Sequence, residues 1–131
     1  EGRCALQEVG KMKPKIEGSK FGSITIEGER IGHDVLIRLG GTMKKRKKKL
    51  SKETYGTSHM LSLAEAKHVY EKGAERLIVG TGHVGLVKLS DEAADYFRRK
   101  GCAVTLLRTP KAIEAWNEAK GAVIALFHVT C

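Results

Sequence analysis

Side-chain amides are nearly absent: the 131 residues hold one glutamine, Gln7, and one asparagine, Asn117, beside 24 lysines and arginines and 15 acids. Few heat-labile amides with abundant charge resemble hyperthermophile usage. Long apolar runs are missing too. Nothing approaches the roughly 20 residues that span a bilayer, and no basic segment followed by an apolar stretch marks a secretory leader. The chain therefore reads as soluble and cytoplasmic. Its length is about one domain's worth, enough for a core without disulfide staples. Cysteine is sparse, at Cys4, Cys102 and Cys131, with no C-x-x-C, which argues against a zinc ribbon or a thioredoxin-type centre. Three free thiols, or one disulfide and one thiol, are both left open.

The charge is lopsided, with a net of +9, and six of the positive residues form one run, Lys44-Lys45-Arg46-Lys47-Lys48-Lys49. The other eighteen basic residues against 15 acids leave only +3, so the question of acidic partners reduces to that segment. The run could neutralise phosphates, yet it holds none of the aromatics that stack on bases, Tyr55 being the nearest.

Residues 1–15 show no periodicity and Met12 would serve as a start, so this stretch reads as a flexible tail, a cloning remnant or an upstream extension. Ile24 and Ile26 alternate with polar neighbours, as do Val35, Ile37 and Leu39, and the turn residues between them predict an antiparallel hairpin. Residues 40–59, which include the basic run, have no period and read as a long loop. Ser62-Leu63-Ala64-Glu65 is a capping box, serine accepting from the first turn and glutamate reaching back. Leu63, Ala66, Val69 and Tyr70 continue the helix until Gly73. Leu77–Val79 reads as a buried strand and Leu86–Leu89 as extended. Ser90 caps a second helix with Asp91 and Glu92 first and Arg98 to Lys100 last, as the macrodipole favours. Ala103–Leu107 reads as another buried strand. Thr109-Pro110 opens a third helix carrying Ile113 and Trp116, and Val123–Phe127 is a final, continuously apolar strand. A hairpin followed by helix–strand units makes a three-layer α/β domain in which strands covered on both faces lose alternation.

Gly80-Thr81-Gly82-His83-Val84-Gly85 is a literal G-x-G-x-x-G after a strand. A dinucleotide fingerprint needs a helix to open at its last glycine, whereas Leu86–Leu89 is extended, and Arg108 stands where a ribose-binding acid belongs. A looser role, with the amides of residues 80–85 holding a phosphate or carboxylate, follows from the nest argument. No cofactor is implied. His33, His59, His68, His83 and His128 are scattered. His128 and Cys131 are an odd number of positions apart, which puts them on opposite faces of an extended chain, so a shared zinc requires a turn. Ser58-His59 is only a weak nucleophile–base pair. In an all-parallel sheet Cys102 precedes its strand and Cys131 follows its own, about 15–20 Å apart, beyond the roughly 7 Å that a disulfide allows. An antiparallel last strand would bring them to one edge.

Taken together, F-G-S-I-T-I-E-G at 21–28, I-V-G-T-G-x-x-G at 78–85, L-S-x-E-A at 89–93, R-T-P-x-A at 108–112 and F-H-V-T-C at 127–131 resemble the Mth-nine-three-eight-like domain family. Its members are small archaeal and bacterial proteins of unknown function, with eukaryotic relatives that include an adipogenesis-associated protein and a mitochondrial complex I assembly factor. The resemblance covers roughly residues 20–131, and the six-residue basic run is its main departure. It implies a three-layer domain with a mixed central sheet and an N-terminal β-hairpin extension, a sheet that makes a Cys102–Cys131 disulfide more plausible, and a binding or assembly module acting through protein partners.

The leading expectation is a non-catalytic binding module, monomeric or weakly dimeric, that takes a small anion or a partner protein at the strand-end loops around Gly80, Thr81, Gly82, His83 and Gly85, joined by His59 and Arg108. The second is a polyanion or nucleic-acid binder using Lys44, Lys45, Arg46, Lys47, Lys48 and Lys49. The third is a hydrolase or redox enzyme using His59, His128 or Cys131.

Overall fold

The computed structural model describes residues 13–131. They form β1 (Ile16–Lys20), β2 (Ser23–Ile26), β3 (Glu29–Ile31), β4 (Val35–Ile37), β5 (Met43–Lys45), α1 (Lys49–Tyr55), β6 (Met60–Leu61), α2 (Leu63–Val69), β7 (Arg76–Gly80), β8 (Lys88–Leu89), α3 (Asp91–Arg99), β9 (Ala103–Leu107), α4 (Thr109–Glu118) and β10 (Val123–Phe127). Most of the expected tail, with Cys4, lies outside the described residues. Its last three positions, 13–15, sit against α4: the Trp116 indole donates to the Pro14 carbonyl at 2.8 Å. The Lys13 ammonium donates to the Trp116 and Ala119 carbonyls at the C-terminal end of that helix.

Side-chain alternation in the central strands builds the layers. Val123, Ala125 and Phe127 of β10, Ile78 of β7, and Val35 and Ile37 of β4 join one core, where Ile16, Ile24, Ile26, Ile113 and Trp116 cover them. Ile124 and Leu126, Leu77 and Val79, and Leu36 point the other way, into a core with Ala66 and Val69 of α2 and Ala93 and Phe97 of α3. Both faces of β10 are thus buried, which is why it reads as an unbroken apolar run. The central sheet has the order β5-β4-β10-β7-β9. Strands β10, β7 and β9 are parallel, and β4 and β5 antiparallel to their neighbours, so the sheet is mixed. A three-stranded antiparallel sheet, β1-β2-β3, packs beside α4, and β6 pairs with β8 in parallel. Among the described residues no helix is long and apolar enough to cross a membrane.

Three expectations change. The hairpin partner of β2 is β3, not the strand at 35–37: Ile26 pairs with Glu29, leaving a two-residue turn in which Glu27 and Gly28 both have positive φ (50° and 80°). Such a turn matches the strand twist, so the chain reverses early and β4 is free to enter the central sheet. The stretch 40–59 is not one loop, since it contains β5 and α1 and leads straight into β6. Strand β9 is an edge strand, with Leu106 43% exposed, rather than a buried one.

The cysteine geometry is also decided. Because β9 and β10 both run parallel to β7, Cys102 precedes the sheet at one end and Cys131 follows it at the other, and both are free thiols. The mixed character of the sheet comes from the reversed β4, not from β10, so the possible Cys102–Cys131 disulfide does not form. Burial raises the Cys102 thiol pKa, which leaves it protonated and inert.

Trp116, 1% exposed and edge-on to Phe127 with ring centres 6.4 Å apart, links α4, the entry of the chain and the central strand. Trp116→Ala is expected to cost about 3–5 kcal/mol, read as a lower urea midpoint. A loss below about 1 kcal/mol would contradict this packing.

Candidate functional site

Strand direction gathers the chemistry at one end of the sheet. Phe127, Gly80 and Leu107 close β10, β7 and β9 there, Val35 opposite Phe127 opens β4, and Lys45 opposite Val35 closes β5. Ligand crevices of α/β sheets lie beyond the carboxyl ends of parallel strands.

The glycine loop sits at this end, and the chain remains extended beyond Gly85 until α3 opens at Asp91. Its amides are already engaged. Thr81 N–H donates to Leu107 O (2.8 Å), His83 N–H to Thr130 O (2.7 Å), and those of Gly85 and Leu86 to Cys131 O (3.0 Å each). Gly82 N–H donates to Thr109 Oγ1 at 3.0 Å, and that hydroxyl donates on to His128 O. Gly82 has φ +103°, and a Cβ there would stand 2.2 Å from the Cys131 carbonyl carbon. The segment 128–131 therefore fills the cradle that the sequence suggested for an anion. His83 faces the small sheet, its Nε2 3.3 Å from Ser19 Oγ and its ring against Phe21. Arg108 is exposed, its side chain running beside Gly85.

Next to this plug lies a charged cluster that spacing did not suggest. Arg46, 4% exposed, is the one member of the basic run turned inward. Its Nε and Nη2 donate to Glu65 (2.6 and 3.0 Å), Nη1 to Asp34 Oδ2 (3.0 Å), and Nη2 also to Ser58 O (2.7 Å). A planar five-donor fork serves all three partners, which an ammonium could not. The Glu65 amide does accept the predicted serine cap, donating to Ser62 Oγ at 3.1 Å. Its carboxylate, however, turns to Arg46 and Ser51 instead of back to Ser62, whose own amide donates to Ser51 Oγ. The capping box is half formed because a buried guanidinium is the stronger partner for a carboxylate.

Asp34, 1% exposed, ties this cluster to the last strand: Oδ1 accepts from Val129 N–H (2.9 Å) and Oδ2 from His128 Nδ1 (2.7 Å). Burial alone would raise its pKa. The hydrogen bonds from His128 and Val129 and the nearby charges of His128 and Lys48 outweigh burial and hold it at about 2. His59 packs edge-on to His128, ring centres 5.4 Å apart. Burial, then the charges of His128, Arg46 and Lys48, push its pKa below the ordinary histidine value, so it is neutral at pH 7. Ser58 enters only through its backbone carbonyl.

Above the Asp34–Arg46 pair opens a cleft of about 480 Å³, lined by His33, Lys45, Lys48, Lys49, Val129 and Thr130 among others. Lys48 leans in, Nζ 3.7 Å from Asp34 Oδ2. Lys44 and Lys47 are exposed and outside it. The basic run is thus divided among a strand edge, a buried anchor and the start of α1. By sequence position Asp34 is one of the turn residues before Val35 and Arg46 one charge of six. The available signal was chemical, a lone arginine in a lysine run.

The family described as protein of unknown function (DUF498/DUF598) matches residues 16–128. A conserved hypothetical protein from Pyrococcus horikoshii OT3 is 33% identical, with a TM-score of 0.81 over 89% of this chain and 99% of that one. A protein named MT938 is 30% identical, with a TM-score of 0.75 over 90% of this chain and 99% of its own. A Mth938-like domain protein from Bordetella pertussis, 16% identical, shares the fold, with a TM-score of 0.59 over 90% and 87%.

Two outcomes follow from the buried cluster. Arg46→Met strands Asp34 and Glu65 without their cation and is expected to cost about 3–5 kcal/mol in urea unfolding; a near-neutral result would place the guanidinium in solvent. Asp34 has a folded pKa of about 2 against 3.8 for the free side chain. Its contribution of about 2 kcal/mol is complete above the free value and is lost as pH falls through 3.8 toward 2. Stability measured between pH 5 and 2 should drop less in Asp34→Asn than in the unaltered chain, and equal slopes would refute the assignment.

Proposed function

The chain belongs to the DUF498/DUF598 family of proteins of unknown function, the Mth938-like group its motifs resemble, and from that premise we propose that it is a binding module whose ligand is a small phosphate-like anion held in the cleft over Asp34 and Arg46. One observation carries the reading: Lys45, Lys48, Lys49 and His33 rim a cleft whose floor carries no free negative charge, because Asp34 is fully engaged by Arg46, His128 and the Val129 amide. Lys45 and Lys49 are exposed on the rim and Lys48 leans toward Asp34, while hydrogen bonds hold the floor beneath them. That combination favours a compact anion seated by charge and oriented by fixed neighbours. The glycine loop then acts as a wall, the amides of His83, Gly85 and Leu86 being spent on residues 130–131.

A second reading, contact with an extended polyanion, is supported by the exposure of Lys44, Lys45, Lys47 and Lys49 along one segment. The two separate by residue, because Lys44 and Lys47 lie outside the cleft.

Calorimetric titration with inorganic phosphate and pyrophosphate at low salt should give saturable binding. Lys48→Ala or Lys49→Ala should weaken it about tenfold, while Lys44→Ala and Lys47→Ala leave it unchanged. Equal losses from all four variants, with duplex RNA bound more tightly than pyrophosphate, would transfer the assignment to the polyanion reading. No binding of either would remove both.

A further inference from the structure

One wall of the cleft carries a hydrogen-bonded pair that anion binding does not use. Asp34 is ionised and can only accept, so the ring proton of His128 sits on Nδ1, 2.7 Å from Asp34 Oδ2. The other nitrogen, Nε2, lies 3.2 Å from the Thr130 hydroxyl, which donates to it in the tautomer that carries its proton on Nδ1 alone. His128 is 2% exposed, whereas Thr130 is half-buried and lines the cleft. Two positions apart on an extended chain, they share a face. In that tautomer the hydroxyl proton points at an oriented imidazole lone pair, the arrangement of a nucleophile beside its base. Lys48, on the same cleft, supplies a cation for charge developing on an acyl oxygen.

We propose that Thr130 and His128 form a nucleophile–base pair that takes an acyl group from an acyl phosphate seated in this cleft, a step that rests on the anion-binding reading above. Thr130 Oγ1 bonds to the acyl carbon while its proton passes to His128 Nε2. The bond between that carbon and the phosphate oxygen breaks, and the departing phosphate carries away its electron pair and then the proton from Nε2. Water repeats the sequence: it loses a proton to Nε2, attacks the threonine ester, and the threonine oxygen leaves and is reprotonated, releasing a carboxylic acid. No redox partner enters the balance.

The test incubates the full chain with acetyl phosphate, maps acetyl groups by mass spectrometry and follows phosphate release. Acetylation of Thr130 is expected, with inorganic phosphate competing. Thr130→Ser should retain the acetyl ester at that position, and Thr130→Ala should lower enzymatic phosphate release about a hundredfold while still binding inorganic phosphate. Acetyl groups confined to lysines, or phosphate release indifferent to Thr130→Ala, overturn the proposal. If the unaltered chain fails to bind phosphate, the cleft reading falls separately. Acyl transfer to Thr130 from neutral p-nitrophenyl acetate then sustains the pair, and its absence overturns it.

Discussion

The guanidinium of Arg46 is the interaction on which the functional end of the molecule depends. It is reached from the end of β5, and its partners come from the entry to β4, the start of α2 and the turn before β6. Through Asp34 the cluster extends to His128 and the amide of Val129, at the exit of β10. Burying these charges costs several kcal/mol each, and the attraction between them repays this only when every hydrogen-bonding site is met. Here Arg46 and Asp34 are met on all sides. The consequence is positional: loops from five elements are held to one geometry, and the cleft above them has a floor that does not move.

Strand direction does the rest. With β10, β7, β9 and β5 running one way and β4 reversed, the exits of four strands and the entry of one share an edge. The segment after β10 cannot leave that edge freely, because its carbonyls accept from the glycine loop and Thr109 bonds to both. A loop with the spacing of a phosphate cradle is thereby turned into a binding surface for the chain's own backbone. Gly82 is needed for that close approach, not for a ligand. The open cationic site lies a few residues away, where side chains rather than amides meet solvent.

The readable parts of the fold are local. Ser62 and Ser90 cap their helices through Glu65 and Ala93 N–H as their spacing indicated, and Pro110 stands in the first turn of its helix. The apolar run of Val123–Phe127 is the central strand, and Leu77–Val79 its neighbour. Pairing was less legible. Whether Ile24 and Ile26 meet residues 29–31 or 35–37 depends on a turn two residues long, and whether 103–107 is central or at an edge depends on sheet order, which no short pattern encodes. At the site, His59 and His128 were visible as residue types, but Asp34, Arg46 and Glu65 come from separate stretches of chain and meet only in space.

By itself, then, the amino-acid order settled what is governed by neighbours a few positions apart: helix starts, strand periodicity, the extended path beyond Gly85, and a family likeness written in short motifs. Only tertiary structure decided which strand lies beside which, that Cys102 and Cys131 end at opposite edges, that one arginine among five lysines turns inward, and that the glycine loop is filled from within. These depend on contacts across tens of residues, where desolvation and complete hydrogen bonding, not local propensity, choose the partner.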